Sequence, residues 1–305
     1  MTFEYFCRKV EKAVQELLPE LNITVQRIAK NNGVSFAGLI LADEGSQTAA
    51  AVYLDSLYES YEKGATLAEV VRRILQTYEA GQGRRRMDLR FFTEYEQVKT
   101  RLSCRLINRE RNRAHLETAP HLLLLDLALV PCCMLQGDDA GCACILIKNE
   151  HLKLWGIKEE DLMRDSLENM RKRFPAIVTS MDAFMRQNLC GVQEEQNLFL
   201  PAEENGTDRE ECRMMICTNH WHFYGAGAIL TPGLLENQAR RQQASLYILP
   251  SSVHEIILIP DTGYETARDL RGIVEEVNRC QVLEEEFLSD NVYYYDRREG
   301  RIRIL

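Results

Sequence analysis

The sequence predicts an α/β mixed (α+β) chain with two sheet-bearing halves. Apolar residues recur at helical spacing in some stretches and alternate at strand spacing in others, with Gly, Pro and Asn at the joints. The order β-α-β-β-α reads twice, over 97–173 and over 221–280, which suggests a structural repeat. Between the halves, residues 194–211 hold seven acids against one Arg, together with Pro and Gly, and read as a loop. The expected organisation is therefore 1–187, an acidic loop or linker at 188–211, and 212–305.

In the first half, Phe3, Phe6, Val10, Val14 and Leu17 fall on one helical face. Strands follow at about 23–30 and 34–42, joined by "KNNG", whose Asn and Gly suit positive φ. In "TLAEVVRRILQTYEAG", Thr66 and Glu69 form a capping box ahead of an apolar stripe from Leu67 to Tyr78. "TRLSCRLIN" alternates Leu102, Cys104 and Leu106 with Arg101, Ser103 and Arg105, which predicts a strand with one wet face. A helix from about Arg109 to Leu116 follows. "HLLLLDLALVPCCML" is too apolar to expose and reads as the first arm of a hairpin with "CACILIK"; a helix over 122–130 stays open. The stretch 158–173 is a helix with acids in its first turn and bases in its last.

In the second half, "HFYGAGAIL" reads as a strand, and "TPGLLENQARRQQ" as a helix capped by Thr231 with Pro232 in its first position. "SLYIL" and "EIILIP" are strands. The helix of 262–280 carries a Thr262/Glu265 capping box. The tail is a hairpin around Arg298, Glu299 and Gly300.

Composition excludes several classes. The net charge of −9 over 305 residues disfavours general nucleic-acid binding and docking on anionic membranes. No run approaches the roughly 20 apolar residues that span a bilayer. Ten scattered cysteines without a signal sequence point to reduced thiols in a cytoplasmic protein. Phosphate-loop and dinucleotide fingerprints are missing, and no cofactor is expected.

The candidate sites are few. Ser252, His254 and Glu255 form a polar knot between two strands, with Asp290 as a further acid. Alternation turns Glu255 away from His254, so a Ser–His–Glu triad is poorly supported. His220 and His222 lie two apart, on one face if extended, but lack an evident third metal ligand. Cys132 and Cys133 point to opposite faces while Cys142 and Cys144 share one, so at most three sulfurs converge and buried thiols are the simpler reading. Asp126 sits in an apolar run and needs a partner, with Arg105 the expected one. A basic segment, 84–113, holds ten Lys or Arg against four acids and includes Arg84, Arg85, Arg86, Arg101 and Arg105.

Several strings together, "YLDSLYESYEKG", "LINRERN", "PHLLLLDLALV", "HLKLWGIKEEDL", "LYILPSSVHEIILIP" and "VNRCQVLEEEFLSDNVYYYD", resemble an uncharacterised bacterial family, domain of unknown function 5688. The resemblance covers about residues 2–296 and implies no activity, ligand or catalytic residue. Three function classes follow from the residues. The first is a cytosolic, non-enzymatic binding or regulatory protein whose partner is another protein. The second is a hydrolase or other acid–base enzyme near His254. The third is a nucleic-acid partner docking on Arg84–Arg113, against the overall charge.

Overall fold

The two periodicities resolve into three antiparallel sheets with flanking helices, a mixed α+β fold. The computed structural model describes residues 1–43, 49–82, 89–136, 142–190, 214–250 and 252–305. Two compact units emerge, one within 1–93 and one comprising 94–136 and 142–305.

In the first unit, α1 (Phe3–Leu17) precedes β1 (Leu21–Ala29), β2 (Ser35–Asp43) and β3 (Ala49–Tyr53), which pair in that order. Helices α2 (Asp55–Glu62) and α3 (Leu67–Gln82) follow. Phe6, Val10 and Val14 of α1 join Leu39 and Leu41 of β2 and Val70 and Ile74 of α3 in one buried cluster. Local signals succeed here. Asn32 and Gly33 take positive φ between β1 and β2. The Thr66 N–H donates to Glu69 Oε2 at 2.8 Å, and the Glu69 N–H donates to Thr66 Oγ1 at 3.3 Å.

The second unit opens with α4 (Tyr95–Lys99), β4 (Leu102–Asn108), α5 (Arg113–Leu116), β5 (Leu122–Leu124), β6 (Leu127–Gln136), β7 (Cys142–Leu146), α6 (Asn149–Trp155) and α7 (Glu159–Arg173). β6 is central to a four-stranded sheet, with β4 along one edge and β5 and β7 sharing the other. The chain continues through β8 (Ala176–Ser180), α8 (Met181–Cys190), β9 (Met215–Asn219), a 3₁₀ segment (Gly225–Leu230), α9 (Leu234–Arg241), β10 (Leu246–Leu249), β11 (Ile256–Pro260), α10 (Ala267–Cys280), β12 (Tyr293–Asp296) and β13 (Arg301–Ile304). Its six-stranded sheet runs β13-β12-β10-β11-β9-β8. Leu106 and Leu129 of the smaller sheet, Met163 and Met170 of α7, and Ile248 and Leu258 of the larger sheet share one core.

Several expectations need correction. The boundary expected at 188–211 falls inside the second unit, because β8 from one side of it pairs with β9 from the other. "GAGAIL" is a 3₁₀ turn rather than a strand, so the expected repeat over 221–280 lacks its first strand. Gly225 explains why: a Cβ there would lie 2.1 Å from Thr218 Oγ1 and 2.6 Å from the His254 carbonyl oxygen. This apolar run is spent on close backbone approach. β4 has no wet face, since Ser103 and Arg105 are as buried as the leucines beside them. Over 122–130 the chain is not a helix. β5 and β6 form a hairpin turning at Leu125 (φ 55°) and Asp126, which leaves Leu122, Leu123 and Leu125 exposed. The cap of α10 is Thr266, which accepts from the Asp269 N–H at 3.2 Å, four residues later than expected. Gly233, not Thr231, caps α9.

Candidate functional site

Arg105 and His254, expected in separate sites, meet through Tyr224. Arg105 stands at the middle of β4 opposite Val130, only 4% exposed. Its guanidinium lies 5.0 Å from the centre of the Tyr224 ring, and the Tyr224 hydroxyl is within hydrogen-bonding reach of it. The other side of the column is His254, stacked on Tyr224 with centroids 5.3 Å apart and planes at 24°. His254 Nε2 then faces Glu286 Oε1 at 3.5 Å, an ion-pair distance that is long for a hydrogen bond. The column thus runs cation, phenol ring, imidazole, carboxylate. Burial pushes the Tyr224 phenol up, and the Arg105 charge opposes that.

The backbone explains why Tyr224 stands there. Asn219 at the end of β9 accepts from the Trp221 N–H at 3.0 Å and donates to the Phe223 carbonyl at 3.0 Å, curling 219–223 into a turn. Tyr224 itself adopts φ 49°, and its N–H donates to His254 Nδ1 at 3.1 Å. With Nδ1 accepting, a neutral ring carries its proton on Nε2, facing Glu286. Nδ1 is therefore occupied by a hydrogen bond, while Nε2 faces Glu286 at ion-pair distance.

The rest of the polar knot is turned inward on itself. Ser252 Oγ donates to Glu255 Oε1 at 2.8 Å and accepts from the His254 N–H at 3.0 Å. It makes no hydrogen bond to the imidazole among the described residues. This is a serine turn, in which a hydroxyl holds backbone geometry. Asp290 is not brought to His254. It is exposed and accepts from Asn278 Nδ2 at 2.9 Å.

The remaining candidates scatter. Asp126 is held by three neutral donors, Ser289 Oγ at 2.6 Å, Tyr293 OH at 2.6 Å and Asn291 Nδ2 at 3.0 Å, and not by Arg105. His220 and His222 lie in the turn after β9 rather than on a strand face. His222 is exposed beside Phe184, with ring centroids 5.8 Å apart. Among the described residues no three His, Cys, Asp or Glu gather as a metal group. The register puts Cys132, Cys142 and Cys144 on one sheet face and Cys133 on the other. Cys132 and Cys144 share a thiol hydrogen bond which, with burial, raises Cys132 well above the usual thiol range. Arg101 is exposed at the start of β4, whereas Arg84, Arg85 and Arg86 lie outside the described residues, as does most of the acidic stretch.

The second unit also carries a groove of roughly 740 Å³ between α7 and residues 230–232. Leu167, Met170 and Leu230 line it with apolar surface. Arg164, Arg171 and Lys172 stand on its rim with a single acid, Glu168. Lys172 pairs with Glu168, and Arg164 with Asp161 at 2.8 Å. Arg171 has no ion-pair partner among the described residues. Arg171 and Lys172 fall in the last turn of α7, where the helix favours positive charge, while Arg164 lies nearer its start.

The strings that build these elements are spread from the first helix to β12, and a family model matches residues 3–297. The chain belongs to DUF5688, a family of unknown function. No curated protein and no solved structure matches it. Membership therefore unites both units under one family without assigning chemistry to either. For this member of DUF5688, sequence reasoning missed Tyr224, Glu286, Ser289, Asn291 and Tyr293. Positive φ at Tyr224 has no sequence signature, and its partners lie 30 or more residues away.

Proposed function

We propose that this DUF5688 chain is a non-catalytic binding protein that takes an acidic, apolar segment of another protein in the groove beside α7. The groove carries the reading: it is lined by apolar Leu167, Met170 and Leu230 and by Arg171, which has no ion-pair partner among the described residues. Its volume lies within the range of binding pockets, about 300–1,000 Å³. The exposed leucines 122, 123 and 125 support a protein partner over a small solute, since clustered exposed apolar side chains mark association surfaces. The reading is of a bacterial cytoplasmic protein, and the absence of disulfides among the described cysteines is in keeping with it. The acid–base alternative near His254 loses support because the Tyr224 N–H occupies Nδ1 and the Ser252 hydroxyl is bonded to Glu255 rather than to the imidazole. The nucleic-acid alternative keeps Arg90, Arg101, Arg109, Arg111 and Arg113 as exposed arginines of its segment within the described residues, but Arg105 is buried and the net charge of −9 opposes it.

The test is a selection of displayed peptides on the immobilised full chain, followed by fluorescence polarisation of the winners. The expected winners carry Leu or Phe flanked by Asp or Glu. Their affinity should fall with salt, and about tenfold or more in the double variant Arg171→Glu/Leu167→Asp. Winners without acidic residues, or binding unchanged in that variant, would overturn the reading.

A further inference from the structure

The sheet face that carries Arg105 looks away from α7. Cys104 and Leu106 share the core with Met163 and Met170 of α7, and alternation sends Arg105 to the opposite side with Ser103 and Ile107. There a guanidinium only 4% exposed has no carboxylate partner among the described residues, and its Nε is buried with no hydrogen-bond acceptor. Buried cations are ordinarily paired, because an unpaired one keeps its desolvation cost. A second orphan lies on the same face. α5 packs there through Leu116 against Ile107 and Val130, and Nε2 of its neighbour His115 is also buried without a partner among the described residues. The groups that act on His115 are Arg105, Lys148 and His121, all basic. Two orphan nitrogens in a neighbourhood of one sign is a pattern that an anion completes.

We propose that Arg105, His115 and Tyr224 form a binding site for the oxyanion group of a small carboxylate or phosphate ligand, on the β4–β6 face opposite α7. Arg105 supplies the charge and an Nε–H, His115 supplies Nε2 in its protonated tautomer, and the Tyr224 hydroxyl supplies a rotatable donor. The Tyr224 ring and hydroxyl hold the guanidinium while the site is empty, and leave its Nε–H without an acceptor among the described residues. The site is independent of the groove, which lies on the other side of β4.

The experiment follows the thermal unfolding midpoint of the full chain as acetate or inorganic phosphate replaces chloride at constant ionic strength. The expected result is a saturable rise with one of the two anions, which distinguishes a carboxylate from a phosphate ligand. The half-saturating concentration should rise about tenfold or more in Arg105→Gln and in His115→Asn, and stay unchanged in Arg268→Gln, an exposed arginine on α10 outside both sites. If Arg105→Gln does not fold, His115→Asn decides. A wild-type midpoint indifferent to both anions, or an equal rise in His115→Asn, would overturn the proposal.

Discussion

Two buried charges in the second unit are treated in opposite ways. Asp165 on α7 is 5% exposed and fully engaged. Lys99 Nζ lies at 3.0 Å, the Tyr95 hydroxyl donates at 2.8 Å, and Arg164 Nε approaches at 3.4 Å. Burial alone would raise this carboxylate, but the hydrogen bonds from Tyr95 and Lys99 hold it below its usual range. Arg105 on β4 is buried as deeply, yet its neighbours are the ring and hydroxyl of Tyr224, and its Nε has no acceptor among the described residues. The contrast separates a charge buried for structure from one buried with binding capacity left over. The first is surrounded by opposite charge supplied by its own chain; the second, among the described residues, is not.

The contrast can be broken by substitution. The largest effect belongs to Asp165→Ala, which strands Lys99 and Arg164 beside an emptied site. It should cost about 1.5–3 kcal/mol in urea unfolding, from the lost hydrogen bonds to a charged group, because Lys99 and Arg164 themselves reach water. A loss under about 1 kcal/mol would show that Asp165 is no better satisfied than Arg105. Next is Gly225→Ala, which attacks the ring beneath Arg105. The new Cβ meets backbone at Asn219 N and His254 O, both at 2.6 Å, so a loss of about 1–3 kcal/mol is expected, with Tyr224 displaced from His254. An unchanged near-ultraviolet circular dichroism spectrum and midpoint would show that the column does not depend on this close approach.

Acid should weaken both sites. His115 is held at about 4, first by burial and then by Arg105, against an ordinary 6.5. The unfolded chain therefore takes up this proton first, and stability falls as pH drops from 6.5 towards 4. Asp165, depressed as well, adds a loss below the ordinary carboxylate range. His115→Asn should flatten the higher-pH part of the decline and Asp165→Asn the lower. A decline of unchanged slope in His115→Asn would place the orphan imidazole elsewhere. The smallest effect is Glu286→Gln. Its contact with His254 is 3.5 Å and partly exposed, so less than about 1 kcal/mol is at stake. A larger loss would make the far end of the column a structural pair comparable to Asp165.

Legibility followed distance along the chain. The Thr66–Glu69 cap of α3, the Asn32–Gly33 turn and the tail turn at Gly300 involve residues a few positions apart, and the β10–β11 partners lie within 14 positions of each other, so their signals are visible in the string. The buried second face of β4 was not visible. Alternation marks a dry side, but what covers the wet one comes from α5 and from residues 221–224. The same holds for Asp126, whose three donors lie 163 to 167 residues away. Of the candidate site, His254 and Arg105 were identified singly. Their connection through Tyr224 depends on a positive φ and a glycine contact that no spacing announces.

The most direct test compares wild type with Arg105→Met by urea unfolding, with and without the anion selected above. Methionine keeps the volume and removes the charge. Without anion the variant should be as stable as wild type or more so, by up to about 1–4 kcal/mol, because an unpaired buried charge has been removed. With saturating anion the order should reverse, since only wild type gains from binding. A variant several kcal/mol weaker than wild type under both conditions would contradict the account, for Arg105 would then be as structurally committed as Asp165.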